Sequence, residues 1–151
     1  MALSVGKFNT FTFFKLPSAW WCGVRLRHID DWHAVVTVRH SWRNQNPFNS
    51  MFWAVQGMAA ELSTGALVID QIEKSGAHIS MLVANNKANF SKKATGKITF
   101  TCEDGRSIGT ALEETIKTGE GQAFWMKSVG VNEDGVVVST FHFEWTIKLK
   151  R

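Results

Sequence analysis

Tyrosine is absent from this chain of 151 residues, and proline and cysteine each occur only twice. The two cysteines, Cys22 and Cys102, form neither a disulfide framework nor a metal-ligand spacing, so a reducing, cytoplasmic compartment is expected. The opening residues, MALSVGKFNT, lack a continuous apolar core of signal-peptide length, and secretion is not indicated. No repeat or low-complexity linker interrupts the chain, whose length fits one core, so residues 1–151 are expected to form a single domain. Charge is sparse as well: 20% of residues are charged and the net charge is +4. Apart from Lys92-Lys93 and the tail Lys148, Lys150, Arg151 the cations are scattered, which excludes the dense basic stripe that nucleic acid demands. A few cations at a pocket mouth would still suit a phosphorylated small molecule.

Aromatic surface, by contrast, is abundant. The 7 Trp and 11 Phe need a deep core or an extensive interface to bury them, so an oligomer is plausible from composition alone. Several of them crowd the start, FNTFTFFKLPSAWWCG, where the break at Pro17 predicts a short helix and then a turn, an extension over residues 1–22 that braces the core. A membrane-surface helix is the sharper reading of the same segment, but Lys7 and Lys15 make a thin basic flank for anionic lipid.

Periodicity sets the rest. Val24 to Ile29 and Ala34 to Trp42 read as a hairpin across Asp30-Asp31. After the loop Arg43 to Ser50, a 19-residue run from Met51 to Ile69 is helical in pattern, with Asn49 or Ser50 as its expected cap. Gln56, Glu61, Ser63 and Thr64 lie inside it, so it predicts a buried helix of a water-soluble fold rather than a membrane span, and no stable membrane insertion is expected. Ala77 to Phe90 and Lys97 to Cys102 read as strands joined through SKKATG, and Gly105 to Thr118 as a short helix facing inward through Ile108, Leu112 and Ile116. Ala123 to Val131 and Val136 to Leu149 flank a turn at Asp134-Gly135. In the last strand Phe141, Phe143, Trp145, Ile147 and Leu149 share one face, so one side is buried and the other wet. One apolar helix with about six strands predicts an α+β architecture in which a curved antiparallel sheet wraps the helix.

Glu61 is the sole charge in the helical run and shares a face with Ala54, Gly57, Met58, Gly65 and Val68, which are small or soft. Such a face admits a partner's backbone or a ligand, and a buried carboxylate there needs a partner, a water, a ligand or a raised pKa. The histidines His28, His33, His40, His78 and His142 show no metal-ligand spacing, and no metal site is expected. Ser63 and Thr64 are expected to bond back to the helix rather than act as nucleophiles.

The segment RNQNPFNS leading into an apolar helix with a carboxylate resembles the hot-dog-fold acyl-CoA thioesterases, particularly the phenylacetate-pathway branch and, more closely, an uncharacterised subfamily of that superfamily. The family pattern runs Asn-Pro-x-Gly-x-x-His-Gly-Gly and reaches an Asp or Glu about six residues later. Laid on this chain without gaps it places Asn46, Pro47 and Glu61, while NFSKKATGKITF resembles the family's following strand-turn-strand segment. Where the family has His-Gly-Gly this chain has Phe52-Trp53-Ala54, and Asn49 replaces the loop glycine, so no histidine carries over. The resemblance implies a hot-dog fold, at least a homodimer, with the active site between subunits. It implies an acyl thioester substrate such as acyl-CoA, with coenzyme A present only as part of that substrate and no separate cofactor. Glu61 would be general base or nucleophile, the backbone N–H of Trp53 would polarise the carbonyl, and Asn46 would orient water or the carboxylate. Phe52 and Gly57 would line the pocket, Gln56 would hydrogen-bond within it or be satisfied by neighbouring backbone, and Arg43, Lys92 and Lys93 are either coenzyme A phosphate contacts or ordinary surface charge. Two other outcomes fit the residues: an acyl-binding protein that has lost the chemistry with its His-Gly-Gly, and a Glu61 held in an interface ion pair with no ligand.

Overall fold

Each apolar pattern becomes an element in the computed structural model, which describes residues 3–151. Helices α1 (Val5–Lys15) and α2 (Pro17–Trp21) precede strands β1 (Arg25–Ile29) and β2 (Ala34–Arg39). A 3-10 turn, Trp42–Asn44, leads to the long helix α3 (Trp53–Ser75), then β3 (Ile79–Phe90), β4 (Lys97–Cys102), α4 (Gly105–Thr118), β5 (Gln122–Val131) and β6 (Val137–Leu149). The six strands form one antiparallel sheet in the order β1-β2-β4-β5-β6-β3. Helix α3 packs against β1, β2, β4, β5 and β6, so the sheet curves around it, as expected of an α+β architecture.

The core lies between α3 and the sheet. Ala59, Ala60, Ala66, Leu67 and Val68 are buried against Val36, Ile98, Phe100, Met126, Phe141 and Ile147. Each large apolar side chain there contributes about 1.5–3 kcal/mol of burial. Strand β6 alternates as its sequence predicts, with Phe141, Phe143, Trp145 and Ile147 all under 5% exposed. The expected back-bonding hydroxyls are present: Ser63 Oγ donates to Ala60 O, and Thr64 Oγ1 donates to Glu61 O and accepts from Trp145 Nε1. Both cysteines are free thiols. No helix is long and apolar enough to cross a membrane among the described residues.

The structure corrects the expected bounds and cap of α3 and the inward face of α4. Helix α3 begins two residues later than the apolar run, because Met51 bridges Gln45 and its N–H donates to Ala94 O, which holds it extended. It also runs beyond Ile69 to Ser75, where Gly76 (φ +71°) adopts the left-handed conformation that ends it. Neither Asn49 nor Ser50 caps it; the capping position is Phe52, with no side-chain bond. In α4 the inward stripe is Ile108, Leu112 and Thr115, while Ile116 faces solvent, since Thr115 lies closer to the buried meridian.

The N-terminal extension is two helices broken at Leu16-Pro17 rather than one helix and a turn, and its first two residues lie outside the described ones. Phe8 is buried, and the Asn9 side chain both donates to Leu26 O and accepts from Leu26 N, pairing with β1 as a neighbouring strand would. Helix α1 thus covers one sheet edge. Strand β3 forms the other edge, and its residues from Ala84 to Phe90 are all exposed.

Candidate active site

The loop before α3 is built by Asn46. Its Oδ1 accepts from Phe48 N (2.9 Å) and Ser50 N (3.2 Å), and its Nδ2 donates to Ser50 Oγ (2.9 Å). The backbone closes the same loop through Asn46 N to Ser50 O, with Asn49 in the left-handed region at φ 60°. Asn46 therefore shapes the loop, and its amide bonds go there rather than to Glu61. Asn46→Ala is expected to cost about 1–3 kcal/mol by stranding these donors, read as a lower urea midpoint at unchanged slope. An unchanged midpoint would contradict that role.

The loop delivers the uncapped start of α3 to a surface cleft of about 520 Å³. Asn46, Phe52, Trp53, Gln56, Lys92 and Lys93 all line it, so six sequence-predicted residues converge, joined by Phe48 and Phe90. The first-turn N–H groups of α3 have no side-chain cap, and the positive end of the helix dipole meets the cleft there. Phe52 and Trp53 stand edge to face at 5.9 Å, and Trp53 is 58% exposed. Gln56 is buried: its Nε2 donates to Met51 O (3.3 Å), and its Oε1 has no partner. Lys93 Nζ donates to Phe48 O (3.3 Å), while Lys92 is exposed.

Arg43 and Gly57 lie outside the cleft lining. Arg43 points back toward α2, its guanidinium 5.4 Å from the Trp21 ring. Gly57 faces Phe141, where an added methyl group would make ordinary contact at 3.5 Å. Glu61 stands one turn further along the same face.

Two carboxylates on α3 show what is unusual about Glu61. Asp70 is 2% exposed and fully answered, by Lys74 Nζ at 2.7 Å and Leu3 N at 2.9 Å. Glu61 is half-buried beside Gly65 and the Trp145 ring, and among the described residues no hydrogen bond or ion pair reaches its carboxylate. Loss of hydration there raises its pKa above the ordinary 4.5. Between 4.5 and that raised value the folded chain holds more proton than the unfolded chain. Stability should therefore fall as pH rises through this window and level off above it. Glu61→Gln should flatten that segment of a plot of melting temperature against pH; an unaltered slope would refute the desolvated carboxyl.

Sequence reasoning missed a second grouping. His28, Asp30 and His33, at the β1–β2 turn, bring their ligand atoms within 4.8 Å of one another. Their order, His-x-Asp-x-x-His, is not a conventional ligand spacing, and only the turn makes the three side chains converge.

A family model described as a domain of unknown function, DUF4442, matches residues 6–147. The chain belongs to the DUF4442 family. No curated protein matches it in sequence. Among solved structures, a Pseudomonas aeruginosa protein of unknown function described as a probable thioesterase superposes with a TM-score of 0.86 at 19% identity, covering 99% of each chain. A Chlorobaculum tepidum protein of unknown function gives 0.84 at 13%, also over 99% of each chain. A Haemophilus influenzae thioesterase gives 0.76 at 12%, over 99% of this chain and 93% of its own. This DUF4442 chain therefore has the hot-dog fold of thioesterase-like proteins.

Proposed function

We propose that the chain is an acyl-thioester hydrolase of the acyl-CoA thioesterase kind, with its site completed across a homodimer. The observation that carries this reading is Glu61: a half-buried carboxylate with no partner among the described residues, on the helix whose uncapped start opens into the cleft. The solved relatives described as thioesterases supply the reaction class.

In this mechanism the thioester carbonyl oxygen lies at the Trp53 N–H, where the helix terminus stabilises the developing oxyanion. Glu61 takes a proton from a water whose oxygen attacks the carbonyl carbon; the tetrahedral intermediate then expels the thiolate, which takes up a proton, leaving the carboxylic acid. Glu61 does not line the cleft that holds Trp53 of its own protomer, which favours a Glu61 supplied by the second copy. The free β3 edge and the exposed Leu82 and Trp53 offer surface for that copy. Lys92 would meet coenzyme A phosphate at the mouth, and no cofactor is required beyond the substrate itself.

A second reading, acyl-CoA binding without turnover, is favoured by the bulk of Phe52 and Trp53 at the cleft. A panel of aliphatic and aromatic acyl-CoA thioesters, assayed for thiol release and by calorimetry, separates the two. Release of thiol is the expected result; saturable binding without it would support the second reading, and neither would overturn both.

A further inference from the structure

We propose that His28, Asp30 and His33 form a binding site for one divalent transition-metal ion of the zinc class. The site lies at the turn between β1 and β2, apart from the cleft. The residues that anchor the turn, Gln71 and Lys74, sit about 15–20 Å along α3 from Glu61 at ~1.5 Å per residue.

The donor set is two imidazole nitrogens and one carboxylate oxygen, a combination suited to zinc, copper or iron(II) and not to the hard ions magnesium and calcium. The atoms are already gathered. Asp30 Oδ2 is 3.0 Å from His28 Nε2 and 2.9 Å from His33 Nδ1. Ligands about 2.0–2.1 Å from a tetrahedral zinc are separated by roughly 3.3–3.4 Å. Small side-chain rotations therefore replace the hydrogen-bonded protons by an ion, and the rings, whose centroids are 4.9 Å apart, have to turn their nitrogens inward rather than approach each other.

The turn beneath is rigid before any ion arrives. Asp30 Oδ1 is occupied by the N–H groups of Trp32 (2.8 Å) and His33 (2.9 Å), which aims Oδ2 at the imidazoles. Asp30 N donates to His33 O at 3.0 Å. The neighbouring Asp31 is tied to α3 by Lys74 Nζ (2.6 Å) and by Gln71 Nε2 on its carbonyl (3.3 Å). Gly105 N donates to Trp32 O at 3.0 Å, docking the same turn on α4. Preorganisation of this kind lowers the ordering cost of binding. All three side chains are partly open to water, which leaves coordination positions for solvent.

The test uses the full chain with any affinity tag removed. Calorimetric titration with Zn²⁺ should give one site per chain with a micromolar or tighter Kd, and Co²⁺ should develop visible absorption bands of four- or five-coordinate character. His28→Ala and His33→Gln should each weaken Zn²⁺ binding at least tenfold, while His78→Ala and His142→Ala leave it within twofold. Asp30→Asn, which keeps the turn's acceptor oxygen, should also weaken it at least tenfold. Melting temperatures of the metal-free variants verify that each is folded. Absence of saturable binding, or losses below tenfold in both His28→Ala and His33→Gln, would overturn the proposal.

Discussion

Glu61→Gln is expected to lower thioester turnover by about a hundredfold or more, the contribution typical of a general base, with little change in KM. Glutamine keeps the shape and can still hold a water, but it cannot take the proton. The same substitution should raise the melting temperature at neutral pH. The carboxylate is desolvated without a partner among the described residues, so replacing it by a neutral amide removes a cost and breaks no bond. Most substitutions of a structural ionic residue do the reverse. If Glu61 instead met a cation of a second copy, Glu61→Gln would weaken the dimer, visible by analytical ultracentrifugation, and leave no gain in stability. Wild-type turnover in the variant would remove Glu61 from the chemistry.

Gly105→Ala is expected to carry the largest stability loss of any single methyl addition, about 2–3 kcal/mol. A β-carbon at Gly105 would collide with the carbonyl oxygen of Asp31 and stand 2.8 Å from both Cα and O of Trp32. All three are backbone atoms of the turn docked on α4, so no side chain can rotate aside. Relief requires α4 to lift from the turn, breaking the Gly105 N to Trp32 O bond. For a chain of this size the loss corresponds to a fall of roughly 4–12 °C in melting temperature. A variant melting within 2 °C of wild type would contradict the close approach. Gly76→Ala tests a different origin, since nothing lies near its β-position and only the left-handed backbone (φ +71°) opposes the change.

The elements that sequence resolved best are those with a dominant local signal. Strand β6 shows strict alternation, and the β5–β6 turn follows from Asp134-Gly135, with Gly135 at φ +76°. The fold class follows from one apolar helix among six strands. The strand order was not legible: β3 and β4 are consecutive in sequence, yet β3 pairs with β6 and β4 with β2 and β5. Nothing local in SKKATG distinguishes a crossover from a hairpin. The start of α3 was misplaced because Met51 is apolar and helix-compatible, while its bond to Ala94 O is a long-range contact.

The candidate site divides in the same way. Asn46, Phe52, Trp53, Gln56, Lys92 and Lys93 meet in one cleft because the loop and the residues after β3 pack side by side. Arg43, equally near in sequence, turns toward Trp21, a direction set by the 3-10 turn and invisible to spacing. Asn46 was legible as a site residue, but its use in closing the loop could be seen only from its bonds. The histidines at 28 and 33 gave no conventional ligand spacing, and their convergence on Asp30 arises from the turn alone.

The proposed role of a desolvated Glu61 as the base in thioester hydrolysis is tested by kcat/KM for a hydrolysed acyl-CoA measured across pH 4 to 9. The expected profile has an acid limb governed by one group that titrates above the ordinary 4.5 of a glutamate, and Glu61→Gln loses that limb together with the activity. A profile flat across that window, or an acid limb that survives in the variant, would contradict it.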